Sequence, residues 1–208
     1  MRINHANKQI DLKLVFAGGP GSGKTSNLEY LYHNAEQALG DGLESIRDSN
    51  DQTLLFDFAP FECEKVDDYD VHFQVFTLPG KTIIEMPQEM GFSGMDGMVL
   101  VIDSRWEALE EMVAYYEWLR GALVQNEIDM TLLPHVLQYN KRDEPDVAPV
   151  HYLELVFNKF GAPHFEASSI NGTGVFDTLN GLARIVLDRV MRNVIHRLEN
   201  LPEFSRVW

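Results

Sequence analysis

The run Gly18-Gly19-Pro20-Gly21-Ser22-Gly23-Lys24-Thr25 fills every fixed position of the phosphate-loop pattern G-x4-G-K-[ST]. Glycines tolerate the positive φ angles that turn successive N–H groups inward around an anion, and a lysine at this spacing reaches the β- and γ-phosphates. Gly18, Pro20, Gly21, Ser22, Gly23 and Lys24 are therefore candidate phosphate contacts, and the Thr25 hydroxyl is a candidate ligand for Mg2+. Phosphates do not distinguish adenine from guanine, but Asn140-Lys141-Arg142-Asp143 does, because it fits N-K-x-D. The Asp143 carboxylate can accept from the N1–H and the exocyclic amine of guanine, donors that adenine does not present together. Lys141 would lay its aliphatic stem over the base, and Asn140 would tie this loop to the phosphate loop. The backbone N–H of Ala167, in Glu166-Ala167-Ser168, would reach guanine O6. A competing reading rests on Val99-Leu100-Val101-Ile102-Asp103, an apolar strand closing on a carboxylate of the kind that holds Mg2+ in ATPases. With Asp103 as that ligand the chain would be an ATPase or a phosphotransferase. With Asp103 as an ordinary strand exit, Asn140 to Asp143 set the nucleotide as GTP or GDP.

These residues need strands that end where they begin. Leu12 to Ala17 reads as a strand running into the phosphate loop, and Leu28, Leu31, Tyr32, Ala35 and Leu39 follow at helical spacing. The polar run Gly40 to Asn50 has no apolar periodicity and reads as a long loop. Thr53 to Phe58 and Asp70 to Thr77 read as two strands joined through an acidic connection, and so as an antiparallel pair. Gly97 to Ile102 is a buried strand, after which Ser104 and Glu107 form a capping-box pattern for a helix whose stripe is Trp106, Leu109, Met112, Val113, Tyr116, Leu119 and Leu123. His135 to Tyr139 is a strand delivering Asn140, Tyr152 to Phe160 a short helix, and His164 to Ala167 a last strand. Gly172-Thr173-Gly174 then leads into a long helix burying Phe176, Leu179, Ala183, Val186, Val190 and Val194. Strands alternating with helices predict an α/β fold with a mostly parallel sheet, one antiparallel edge pair and helices on both faces. Ligands of such sheets bind at the carboxyl ends of the strands, where each motif falls.

At 208 residues and 45% hydrophobic content the chain is sized for a single domain over 1–200, with a short tail from Leu201 to Trp208. No apolar run approaches the length of a membrane span, and neither a secretory signal nor a lipidation motif is evident, which predicts a cytoplasmic protein without direct membrane insertion. The single cysteine, Cys63, fits a reducing compartment and excludes a zinc site of several thiolates. A net charge of −15 repels nucleic acid and leaves a protein as the expected partner. The histidines lack metal-ligand spacing, and His72, His135 and His164 sit in or beside strands where packing accounts for them.

The motifs together resemble the Ras-like small GTPases, and more closely the MglA branch of bacterial polarity and gliding-motility GTPases. The likeness is carried by the phosphate loop with Thr25-Ser26-Asn27-Leu28, by Thr53 to Phe58 and Thr77-Leu78-Pro79-Gly80, by Gln138 to Asp143, and by Phe165-Glu166-Ala167 with Gly174-Val175-Phe176. Most Ras-like proteins carry D-x-x-G where this chain has Thr77-Leu78-Pro79-Gly80, a departure that MglA-like proteins share. The resemblance implies a Ras-like P-loop G domain that binds GTP or GDP with Mg2+. It places Ser26 with Thr25 beside the phosphates, Thr53 in the first switch as a second Mg2+ ligand, and Gly80 with its N–H on the γ-phosphate. It also implies a monomeric G domain with a roadblock-fold (MglB-like) dimeric regulator and protein effectors, acting in cell polarity, motility or type IV pilus control with recruitment to a cell pole.

Two positions depart from the MglA pattern where hydrolysis depends on them. The residue after Gly80 is usually a water-orienting glutamine and here is Lys81; the residue before Thr53 is usually a charge-stabilising arginine and here is Gln52. Such a cation contributes several powers of ten in rate, so the simplest consequence is slow, partner-assisted turnover. A second reading keeps the inventory but exchanges it: Gln52 positions water and Lys81 neutralises γ-phosphate charge, without arginine's planar fork. Arg47 is a candidate displaced cation. A GTP-loaded scaffold with negligible hydrolysis is the alternative.

Overall fold

The computed structural model describes residues 1–39, 44–47, 53–58, 68–78 and 92–199, with side chains described over 1–34, 68–78 and 92–192. Gln52, Cys63, Gly80, Lys81 and the tail Leu201 to Trp208 lie outside the described residues, and Thr53 and Arg47 are described as backbone only.

Among the described residues eight strands form one sheet: β1 (Arg2–Asn4), β2 (Gln9–Ala17), β3 (Glu44–Arg47), β4 (Thr53–Phe58), β5 (Asp70–Thr77), β6 (Gly97–Asp103), β7 (His135–Asn140) and β8 (His164–Glu166). Their order is β3-β4-β5-β2-β6-β7-β8, with β1 paired to the start of β2 on the edge that β6 takes further along. From β5 through β8 every neighbour is parallel. The helices are α1 (Lys24–Leu39), α2 (Leu109–Gln125), α3 (Val150–Phe157) and α4 (Val175–Glu199).

The strand sequences dictate which face each helix covers. In β2 the side chains of Ile10, Leu12, Leu14 and Phe16 point to one side and those of Val15 and Ala17 to the other, the period of two expected of a pleated strand. Leu28 and Leu31 of α1 and Val175, Leu179, Leu182, Val186 and Val190 of α4 close over the first side. Leu109, Met112, Tyr116 and Leu119 of α2 and Leu153 and Phe157 of α3 close over the second. Every residue of β6 and β7 is consequently buried, which explains the unbroken apolar run Gly97 to Ile102 of β6 and makes His135, Gln138 and Asn140 of β7 buried polar groups.

The sequence reading differs from this architecture in several places. Glu44–Arg47, expected within a loop, forms β3, paired antiparallel to β4. The antiparallel part is therefore three strands, β3-β4-β5, with β1 a further antiparallel addition, and the expected β4–β5 pair lies inside it. No capping box operates at Ser104. A 3-10 turn over Trp106–Ala108 precedes α2, its cap residue is Arg105 with no side-chain cap bond, and the Ser104 hydroxyl is buried without a hydrogen-bond partner. Trp106 and Val113 are exposed, whereas Tyr115 and Ala122 take core positions beside Leu109, Met112, Tyr116, Leu119 and Leu123, which are buried as expected. The short helix starts at Val150 after Pro149 and stops at Phe157. His164 is partly exposed, its ring against Tyr139 and its Nδ1 3.1 Å from Glu154, so a polar contact holds it rather than core packing.

β2 is the point at which the sheet order reverses, since its neighbours β5 and β6 lead away in opposite directions. Open parallel sheets bind ligands in the crevice at such a switch point, and the phosphate loop leaves the carboxyl end of β2.

Candidate functional site

The phosphate loop bridges β2 and α1, and its bends are glycine bends: Gly21 has φ +67 and Gly23 φ +98. Gly23 is also irreplaceable on space, because an added Cβ would lie 2.1 Å from the Asn140 amide nitrogen. On the opposite side an added Cβ at Gly19 would meet the Met112 methyl at 2.2 Å. The loop is thus gripped between β7 and α2, with no room for a side chain at either contact.

Lys24 opens α1 and folds back under the loop, its Nζ donating to the carbonyls of Gly18 at 2.7 Å and Gly19 at 2.9 Å. Two of the ammonium's three donors are committed and one is left for a ligand. Burial pulls the ammonium pKa down to about 8. An anion beside it would reverse that pull, so the site as built favours a negatively charged occupant. Thr25 stands exposed in the first helical turn beside half-buried Ser26, and half-buried Pro20 and exposed Gly21 form the loop's outer rim. The buried hydroxyls of Ser22 and Ser168 have no hydrogen-bond partner.

Asn140 ends β7 wholly buried. Its amide nitrogen donates to the Ser22 carbonyl at 2.8 Å and to the Ser169 hydroxyl at 3.1 Å, and its oxygen accepts from the Ser169 N–H at 2.9 Å. One side chain therefore ties together the phosphate loop, the end of β7 and the turn after β8. Lys141 has φ +62, an uncommon left-handed conformation for a lysine. Asp143 is exposed, and its carboxylate makes no hydrogen bond or ion pair among the described residues.

Asp103, the candidate Mg2+ ligand of the ATPase reading, is engaged elsewhere. It lies opposite Asn140 in the β6–β7 register, and Lys141 Nζ sits 2.7 Å from its Oδ2. Arg105 donates to the same carboxylate through Nη2 at 2.8 Å, Nε at 3.1 Å and its backbone N–H at 3.1 Å. Burial alone would raise the Asp103 pKa, but the hydrogen bonds from Arg105 and Lys141 outweigh it and hold the carboxylate below its ordinary value. The residue is an internal counter-ion for the base loop.

A further correction concerns Ala167. Its N–H donates to the Tyr139 carbonyl at 2.8 Å, continuing the β7–β8 ladder, and is not free for a base. The next two N–H groups are also taken, Ser168 by the Thr173 carbonyl at 2.9 Å and Ser169 by Asn140. Sequence reasoning also passed over Arg142, which bonds Glu166 at 2.9 Å and the Ala148 carbonyl at 2.7 Å and so staples the base loop to β8. Gln138 entered only as part of the family likeness, with no role for its side chain, although a glutamine inside a strand read as buried was a visible signal.

Among the described residues no group of three or more His, Cys, Asp or Glu side chains is placed to hold a metal ion, and no helix is long and apolar enough to cross a membrane. No protein-family model matches the chain. The chain is similar to the Mutual gliding-motility protein MglA of Myxococcus xanthus, with 33% identity over 190 residues, which covers 91% of this chain and 97% of that protein.

Proposed function

Because the chain belongs to the MglA-like small GTPases, we propose that it is a guanine-nucleotide switch that binds GTP or GDP with Mg2+, recruits protein partners in the GTP form and hydrolyses GTP slowly without help. The observation that carries this reading is the Asn140 side chain, which fixes the N-K-x-D loop against the phosphate loop while leaving Asp143 exposed and Lys24 with a donor to spare. Gly18, Pro20, Gly21, Ser22, Gly23, Lys24, Thr25 and Ser26 cradle the phosphates, and Asp143 reads the Watson–Crick edge of guanine. The stem of Lys141, its charge neutralised by Asp103, lies along the base. With the Ala167, Ser168 and Ser169 N–H groups engaged, the donors next in line for guanine O6 are those of Ile170 and Asn171, with Ser168 lining the turn.

The hydroxyls of Thr25 and Thr53 would hold Mg2+, which would supply neutralisation of the phosphate charge. Gly80, Gln52 and Lys81 carry the γ-phosphate response, in the exchanged arrangement where Gln52 positions water and Lys81 supplies the cation. The partners are a roadblock-fold regulator that accelerates turnover and effectors in polarity, motility or pilus control, with a cytoplasmic G domain recruited to a pole by them. The presence of Lys81 and Gln52 where glutamine and arginine are usual favours a second reading, a GTP-loaded scaffold that does not turn over.

Nucleotide extracted from purified protein tests the first claim: GTP or GDP supports it, and ATP or ADP overturns it. Single-turnover GTP hydrolysis with and without a roadblock protein, for wild type, Gln52→Ala and Lys81→Ala, separates the switch from the scaffold. Partner-stimulated turnover lost in either variant supports the switch, and no turnover under any condition supports the scaffold.

A further inference from the structure

Beneath the Asn140 contact lies a second polar link between the two halves of the site. Asn27 on α1 and Gln138 on β7 form a reciprocal amide pair, Asn27 Nδ2 donating to Gln138 Oε1 at 2.8 Å and Gln138 Nε2 donating to Asn27 Oδ1 at 2.9 Å. The second hydrogen of Asn27 Nδ2 goes to the Gly23 carbonyl at 2.9 Å, the last glycine of the phosphate loop. The second hydrogen of Gln138 Nε2 goes to the Thr178 hydroxyl of α4 at 3.0 Å, and that hydroxyl donates to the Gly174 carbonyl at 2.6 Å. All three side chains are fully buried. Every amide and hydroxyl hydrogen is used, so the chain of bonds is closed from Gly23 to Gly174.

Neither end is arbitrary. Gly23 carries φ +98 and touches Asn140. Gly174 carries φ +69, and an added Cβ there would fall 2.1 Å from the Glu166 carbonyl, so its turn is pressed onto the end of β8 beside the base loop. Tyr30 of α1 presses on the same turn, since a Cβ at Gly172 would enter its ring.

A fully buried polar trio is an expensive way to fill space, because apolar residues of similar volume fold about as stably. What hydrogen bonds add is direction: they fix α1, β7 and α4 in one register, where apolar packing tolerates sliding. We propose that Asn27, Gln138 and Thr178 are positioning residues, an internal brace that holds the phosphate loop and the base loop at the spacing of one nucleotide; the proposal rests on the guanine-nucleotide reading above. A ligand held at both ends keeps a high effective concentration at each end only while the spacing is fixed. Loosening the brace lets one end open while the other holds, and the nucleotide leaves sooner.

The test separates stability from nucleotide retention, using fluorescent GDP dissociation and thermal unfolding of the whole protein. Gln138→Met alone strands the Asn27 amide and lowers the melting temperature. The double variant Asn27→Leu with Gln138→Met removes both partners and regains the melting temperature, while GDP still dissociates about tenfold faster than from wild type. Thr178→Val, which cuts one link and keeps the side-chain shape, serves if the double variant does not fold, with dissociation about threefold to fivefold faster. Wild-type GDP dissociation in the variant that folds overturns the brace. A wild-type protein that binds no guanine nucleotide overturns the functional reading, and the brace with it.

Discussion

Asn140→Ala and Asn140→Asp offer a sharp contrast, because the structure ranks them against simple intuition. Truncation to alanine removes the bonds to Ser22 and Ser169 and leaves the Ser22 carbonyl and the Ser169 N–H buried without their partner. Two such orphaned groups at 1–3 kcal/mol each suggest a loss of about 3 kcal/mol. Divided between folding and binding, that is a fall of several degrees in melting temperature and a weakening of GDP affinity by about tenfold or more. Aspartate matches the shape of asparagine but replaces the donor facing Ser22 with an oxygen, setting acceptor against acceptor at 2.8 Å and burying a charge. Asn140→Asp is therefore worse than Asn140→Ala at neutral pH, despite being the smaller change in shape. Burial raises the pKa of the introduced carboxyl, and its protonated form donates again to Ser22, so the folded state gains as pH falls through that raised value. The assay is GDP affinity and thermal unfolding of both variants at pH 7.5 and pH 5.5. Asn140→Asp equal to or better than Asn140→Ala at pH 7.5, or no relative recovery at pH 5.5, refutes the assignment of donor and acceptor.

Three further outcomes follow from other contacts. Asp103→Asn costs about 1–2 kcal/mol at neutral pH by weakening the partners Lys141 and Arg105, which are partly solvated. Because the folded pKa of Asp103 is depressed, the wild-type advantage is full above about pH 4 and is lost as pH falls through the folded value, a convergence that urea unfolding at pH 7 and pH 3 measures. Lys24→Met removes a buried ammonium whose pKa is pulled from 10.5 to about 8, an electrostatic relief of about 3 kcal/mol set against the lost bonds to Gly18 and Gly19. Nucleotide-free Lys24→Met therefore melts close to or above wild type while its GDP affinity falls more than about a hundredfold, by thermal unfolding and calorimetry. Asp143→Asn offers the base an amide donor in place of a second acceptor, so binding shifts from guanine to xanthine nucleotides, read by competition between GDP and XDP.

The chemistry-bearing loops were legible because their information is local. A phosphate loop is a spacing of glycines and a lysine, and N-K-x-D is four adjacent residues. The buried strand β6 was legible because a strand covered on both faces is written as an unbroken apolar run. Glu44–Arg47 was not, because an edge strand bonded on one side requires no apolar signature. Ser104 and Glu107 match a capping box letter for letter, yet the stretch forms a 3-10 turn, with Arg105 paired to neighbouring Asp103 and the Trp106 N–H donating to the distant Asp146 carbonyl. The Asn27–Gln138 pair joins residues far apart in sequence, and polar partners in a core carry no periodicity to betray them. Ala167 was misassigned for a related reason: sequence places its N–H at a strand end, but only the register shows that the ladder with Tyr139 continues through it.

The sheet divides the interior into two apolar compartments, and the phosphate loop is touched from both: by Asn140 and Asn27 on the side of α1 and α4, and by Met112 and Tyr115 of α2 on the other. The Tyr115 hydroxyl is buried without a hydrogen-bond partner, and burial pushes its pKa up to about 12. The two compartments share no buried side chain, so a substitution in one reaches the other only through the strands and the phosphate loop that both touch. The loop is thus the place where the packing of α2 and the hold on the nucleotide meet.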